Sequence, residues 1–182
     1  MRWLVQVVSA ILLQQTIQAK FIMQFVYFGN CKPSYDSSPY RLENTSYGMV
    51  SADQSEFNTT LVVEQDFDKI YSKLKIYECK TMNEAECELV MNIVTDDQCQ
   101  KIREKGQFYS IFADHAHPPI TCPWKKVVHH IVQARLPMDT LSKLPVVENW
   151  VYRLDFWFEH HGNIVGCWKI KAKKLRVKKK KN

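Results

Sequence analysis

Residues Tyr152 to Glu159 read YRLDFWFE, and the tetrapeptide HHGN at His160 to Asn163 separates them from IVGCWKIKAKKLRV at Ile164 to Val177. Tyr152, Leu154, Phe156 and Phe158 alternate with Arg153, Asp155, Trp157 and Glu159, the period of two that puts one set on a buried sheet face and the other opposite it. A strand, a Gly-containing turn and a second strand predict a hairpin. Its return strand carries Cys167 and leads into the lysines at the end of the chain.

Working outward, strand signals recur along the chain. Phe21 to Phe28 (FIMQFVYF) reads as a buried strand entering Cys31, and Pro33 to Pro39 as a loop. Leu42 to Val50, Phe57 to Gln65, Ile70 to Tyr77, Cys87 to Val94 and Val127 to Arg135 follow as strands rich in Val, Ile, Thr and aromatics. Between the last two, Thr95 is expected to cap a helix through Asp96, Asp97, Cys99, Ile102 and Arg103, its aspartates favoured in the first turn by the macrodipole. Gly106 interrupts it. Phe108, Tyr109, Ile111 and Phe112 suit a second helical turn or an apolar lid, before the rigid stretch His115 to Pro123 (HAHPPITCP). Leu136 to Pro145 is a proline-bounded connection. About seven strands with one or two short helices predict an all-β fold, an immunoglobulin-like antiparallel β-sandwich. Element order and size exclude a TIM barrel or a doubly wound sheet.

The chain begins as an export signal would. Arg2 supplies a charged start, Trp3 to Leu13 an apolar run too short to span a bilayer, and Ala19 a small residue at a cleavage site, so residues 1–19 are expected to be removed. Residues 20–177 then form one domain and residues 178–182 a basic tail. All six cysteines lie after the signal, and an even count in an exported chain predicts disulfides. Spacing alone leaves 15 ways of pairing them. There is no C-x-x-C, and intervals of 48, 8, 12, 23 and 45 residues match no compact zinc finger or ribbon. Asn44 and Asn58 each head an N-x-[ST] acceptor for glycosylation, which suits the same extracellular compartment.

The net charge of +6 is unevenly placed: nine of the 25 basic residues fall in positions 169–182, leaving 16 to face 19 acidic ones. A mildly acidic body with a basic end is not a nucleic-acid-binding face. Lys178, Lys179, Lys180 and Lys181 suit either contact with an anionic headgroup or membrane surface, or plain solubilisation. Five glycines form neither G-x-G-x-x-G nor a phosphate-binding loop, and no G-x-S-x-G or H-E-x-x-H is present. Asp114, His115 and His117 cluster in sequence, and His129–His130 and His160–His161 are adjacent pairs. Neighbouring strand residues point to opposite faces, so neither pair offers two ligands on one face without a bulge. No catalytic residue, metal or cofactor is expected.

From Cys99 onward an ordered series stands out: Cys122-Pro123, basic Lys125 and Lys126, Leu136-Pro137, Leu144-Pro145, Tyr152-Arg153-Leu154-Asp155-Phe156, Gly162 and Gly166-Cys167. In order and approximate spacing it resembles the insect secreted proteins of the domain-of-unknown-function 1091 group. More distantly it resembles the MD-2-related lipid-recognition family with its GM2 ganglioside activator-like members. The resemblance implies a β-cup, two antiparallel sheets whose spread edges enclose an apolar space for lipid. It also implies pairings of Cys31 with Cys167, Cys79 with Cys87, and Cys99 with Cys122.

Nine phenylalanines, eight tyrosines and five tryptophans provide material for such a lining, although aromatic strand residues equally well fill a solid core. The expected ligand-contacting residues are Phe108, Phe112, Ile131, Leu136, Leu141, Leu154, Phe156 and Phe158, with Trp150 and Trp157 as rim anchors. An acyl chain gains roughly 0.8 kcal/mol per buried CH₂, enough for binding without any catalytic group. The functional expectation is therefore a secreted carrier or presenter of a lipid or other small hydrophobic molecule. The alternative is a secreted, non-enzymatic interaction module with a solid β-sandwich core, docking on a protein receptor.

Overall fold

A computed structural model describes residues 21–51, 54–106, 109–135 and 150–176. Among them are nine strands: β1 (Phe21–Asn30), β2 (Tyr40–Ser51), β3 (Gln54–Val63), β4 (Tyr71–Cys79), β5 (Cys87–Thr95), β6 (Ala116–His117), β7 (Val127–Arg135), β8 (Val151–His160) and β9 (Asn163–Arg176). Two short helices, α1 (Gln98–Ile102) and α2 (Ser110–Asp114), join the sheets. A five-stranded sheet runs β1-β9-β8-β4-β5 and a four-stranded sheet β2-β3-β7-β6, with every pairing antiparallel. The fold is thus an all-β antiparallel sandwich. No helix of the described residues is long and apolar enough to cross a membrane.

The β8–β9 hairpin follows its sequence pattern. His161 and Gly162 form its two-residue turn with φ of 48° and 78°, the pair of positive values a type I′ hairpin turn requires. Tyr152, Leu154, Phe156 and Phe158 face the other sheet and join the core. Two local details differ from expectation. The helix after β5 is capped by Asp97, whose carboxylate accepts from the Cys99 N–H, and not by Thr95, which ends β5 paired with Ser72. A two-residue strand, β6, lies within the rigid stretch His115 to Pro123, where Ala116 pairs with Ile131 and His117 with His130.

The sheets are drawn together along one edge, where β1 crosses β2 and β3 and β9 crosses β2. Within the five-stranded sheet, the Cys31–Cys167 disulfide ties the end of β1 to its neighbour β9. Two contacts hold the seam between the sheets. The buried Asn30 amide donates to the Leu42 carbonyl at 2.9 Å and accepts from the Leu42 N–H at 3.0 Å, serving as a side-chain rung between sheets. Gly166 lies against the Tyr40 backbone. Beside the seam, rings interlock: Phe28 against Phe57 at 4.7 Å, Tyr40 against Trp124 at 5.2 Å, and Phe158 against Trp168 at 4.4 Å. Phe57, Phe67 and Phe158 are fully buried there, each contributing roughly 1.5–3 kcal/mol.

The remaining disulfides, Cys79–Cys87 across the β4–β5 hairpin and Cys99–Cys122 from α1 to the segment before β7, complete the pairing the resemblance implies. No cysteine is left unpaired. Residues 1–19, the tail Lys178 to Lys181, and Phe108, Leu136 and Leu141 lie outside the described residues.

Candidate functional site

The edge opposite the seam is built differently. Strand β5 (CELVMNIVT) is the last of its sheet, and Leu89, Val90, Met91, Ile93 and Val94 are all exposed. Register decides which of them face inward. Leu74 pairs with Ile93 and Ile76 with Met91, while on the other side of β4 Leu74 pairs with Phe156 and Ile76 with Leu154. Directly paired residues share a sheet face. Met91, Ile93, Leu74, Ile76, Leu154 and Phe156 therefore form one apolar surface turned toward the four-stranded sheet. Along it burial falls off: Leu154 and Ile76 are buried, Leu74 is half-buried, and Met91 and Ile93 are 40% and 41% exposed. A register shift between Ile76 and Tyr77 leaves Val90 out of the ladder and turns Leu89 to the outer face.

The expected ligand-contacting residues divide accordingly. Leu154 and Phe156 lie on this inner surface, and Ile131 faces it from β7, fully buried. Trp150 is half-buried against the core just before β8. Phe112 and Phe158 belong to the aromatic pack beside the seam, Phe112 5.5 Å from both Phe57 and Trp168, and Phe158 4.8 Å from Tyr40. Trp157 is a correction: strand alternation turns it to the outer face, where it meets Tyr35 edge-on at 5.7 Å. There it lines an open groove of about 270 Å³ with Lys73, Lys75, Glu159 and Ile164, so it is no rim anchor of the intersheet space. Met91 and Ile93 went unnoticed in sequence. Their signal was an apolar run with a single charge, Glu88, on a strand whose neighbours alternate.

Polar chemistry gathers on the outer face. The 3-10 turn Glu84–Glu86, held near β8 and β9 by the Cys79–Cys87 hairpin, lays Glu84 on Lys171, Lys169 and Arg153 at 2.7, 2.9 and 3.3 Å. Hydrogen bonds from Lys171 and Lys169 lower the Glu84 carboxyl to about 2. Asp155, buried beside them, is shifted upward because burial disfavours its charge. Arg153 stands 3.3 Å from Asp155 without hydrogen-bond alignment and covers the Tyr77 ring at 3.9 Å. Each charge has a structural partner, the arrangement of a clamp over the sheet.

The histidines separate into two kinds. His129 is buried, its Nδ1 bound to the Pro118 carbonyl at 2.6 Å, while its neighbour His130 is exposed on the opposite face, the alternation expected of a strand pair. Burial shifts His129 downward, against the pull of that hydrogen bond. His115 binds the Val132 carbonyl at 3.0 Å. His160 and His161 depart from alternation: the register slips between Phe158 and Glu159, His161 enters the turn, and the two rings come within 4.1 Å. Of the glycosylation acceptors, Asn44 is exposed at a bulge of β2, and Asn58 is half-buried with its Oδ1 accepting from the Gln133 N–H at 2.8 Å. No protein-family model matches this chain, and no curated protein aligns with it.

Proposed function

We propose that this protein is an exported carrier or presenter of a lipid or other small hydrophobic molecule, held between its two sheets as in a β-cup. The observation that carries the reading is the exposure of Met91 and Ile93 on an inward-facing apolar surface continuous with Leu74, Ile76, Leu154 and Phe156. In a closed sandwich such positions are covered. An acyl chain laid along them would complete the core at the edge away from the seam, and the aromatic pack would give it a rigid back wall. The resemblance to the domain-of-unknown-function 1091 group and to MD-2-related lipid-recognition proteins supports the same reading. So do three disulfides, which suit an oxidising compartment. In this proposal Lys178 to Lys181 approach an anionic membrane surface, Asn44 and Asn58 carry glycans, and no catalytic step is involved.

The second reading, a protein-interaction module, draws on the outer side of the same strand, where Leu89 and Val94 are 54% and 58% exposed. Native mass spectrometry of the protein purified without detergent, followed by solvent extraction and lipid identification, separates the two. Retained lipid at one per chain, or saturable uptake of a fluorescent fatty acid, is the expected result. Failure to bind a broad lipid panel by a correctly folded, fully disulfide-bonded protein rejects the carrier reading and leaves the interaction module.

A further inference from the structure

The turn between β8 and β9 brings together three side chains that the sequence keeps apart. His160 and His161 meet Asp68 from the loop before β4: Asp68 Oδ1 is 3.5 Å from His160 Nδ1 and 3.6 Å from His161 Nε2. One ligand atom from each of the three residues fits within a span of 4.8 Å. Two neighbours build the arrangement. His160 is mostly buried, packed edge-on against the fully buried Phe67 at 5.0 Å, and its Nδ1 reaches the Lys69 carbonyl at 2.8 Å. Asp68 is flanked by Phe67, bound through its N–H to the Trp124 carbonyl, and closely followed by Ile70, whose carbonyl accepts from Gln98. The Lys69 ammonium lies 4.7 Å over the Tyr71 ring.

We propose that Asp68, His160 and His161 form a binding site for one divalent transition-metal ion of the zinc type. Two imidazoles and a carboxylate are the donor set of zinc and its neighbours in the series, and not of calcium or magnesium, which take oxygen ligands. Bonds of roughly 2.0–2.1 Å directed to tetrahedral corners set adjacent ligand atoms about 3.3–3.4 Å apart, close to the separations at Asp68. Small rotations of the exposed Asp68 and His161 suffice to close them. The ion would take His160 through Nδ1, the atom 3.5 Å from Asp68 Oδ1, in place of its hydrogen bond to the Lys69 carbonyl. Three protein ligands leave a fourth position for water or for an atom of a bound molecule. The ion would tie the loop before β4 to the β8–β9 turn.

The test uses untagged full-length protein, stripped with chelator and titrated with Zn²⁺ by calorimetry, with melting temperature recorded with and without the ion. Single-site binding is expected, with a rise in melting temperature that follows from binding the folded state alone. His161→Ala and Asp68→Asn, both at exposed positions, are each expected to weaken Zn²⁺ by about tenfold or more and to abolish the rise. His130→Ala is the control, because His130 sits opposite His117 on the β6–β7 pair, a second histidine pair apart from the proposed ligands. The proposal is overturned if no Zn²⁺ binds, if binding survives both site substitutions, or if His130→Ala removes it instead.

Discussion

Gly166 faces Tyr40 so closely that a Cβ built on it would overlap the Tyr40 carbonyl oxygen. This is where β9 of one sheet meets β2 of the other, and the contact is backbone to backbone, so no side-chain rotation relieves it. Gly166→Ala is expected to lose about 1–3 kcal/mol or more, by the ordinary cost of overpacking. Gly48→Ala, on β2 with open space around it, should leave stability within a few tenths of a kcal/mol or raise it slightly. Urea denaturation of the pair checks the claim, and equal behaviour of the two variants would refute it.

Asn30 performs the polar half of the same closure. Its amide serves both the N–H and the carbonyl of Leu42 and also donates to Asp36 at 2.9 Å. Removing it strands two backbone groups beside a buried side chain. Asn30→Ala should cost on the order of 2–4 kcal/mol, since each unsatisfied buried group costs about 1–3 kcal/mol. Asn30→Asp keeps the acceptor for the Leu42 N–H but sets a buried carboxylate against the Leu42 carbonyl and the Asp36 carboxylate, so at neutral pH a loss at least as large as that of Asn30→Ala is expected. A loss below that of an ordinary exposed strand substitution would show that the two sheets do not depend on this rung.

The disulfides should differ in worth because they close loops of different length. Cys31–Cys167 spans 136 residues of sequence and Cys79–Cys87 spans 8. Loop-closure entropy assigns about 5 kcal/mol to the first and about 2.5 kcal/mol to the second. Paired Cys→Ser variants compared by urea midpoint should preserve that order. Equal losses would mean that the unfolded chain is already compact between Cys31 and Cys167.

Local pattern and long-range arrangement were unequally legible in the sequence. Tyr152 to Glu159 could be read because every second side chain is apolar and the turn HHGN offers a glycine where positive φ is needed. The pairing of Cys31 with Cys167 came from resemblance, since spacing left the partners open. Trp157 was misplaced because an aromatic residue signals burial without saying on which face, and only the register with Lys73 and Cys167 turns it outward. His160 and His161 defeated the alternation rule through a single slipped residue, a feature with no sequence mark of its own. The exposure of Met91 and Ile93 was hidden for a different reason. Whether an apolar strand is covered depends on how far the opposing sheet extends, which residues distant in sequence decide.

Acid should weaken the clamp on the outer face. Glu84 titrates near 2 in the folded protein against an ordinary 4.5, so its favourable contribution is complete above about 4.5 and is lost as pH falls through about 2. Asp155 runs the other way: burial raises its carboxyl, so protonation on acidification relieves part of its cost. Glu84 is 44% exposed, and screening limits its contribution to on the order of 1 kcal/mol or less. Glu84→Gln should lower the urea midpoint at neutral pH and flatten the decline of stability below pH 4.5. An unchanged acid profile in that variant would place the acid sensitivity elsewhere.

The two faces of β5 give the sharpest test of ligand binding. Ile93 and Met91 look toward the other sheet, while Val94 pairs with Lys73 on the outer face. All three are already exposed, so a glutamate at any of them should cost less than about 1 kcal/mol of stability. Ligand uptake should divide them. A carboxylate at Met91 or Ile93 would have to be desolvated against the acyl chain, and Met91→Glu or Ile93→Glu should reduce uptake of a fluorescent fatty acid by about tenfold or more. Val94→Glu should leave it unchanged. Equal loss in all three variants would mean that the strand edge, and not its inner face, meets the ligand. Equal retention would move the site away from β5 altogether.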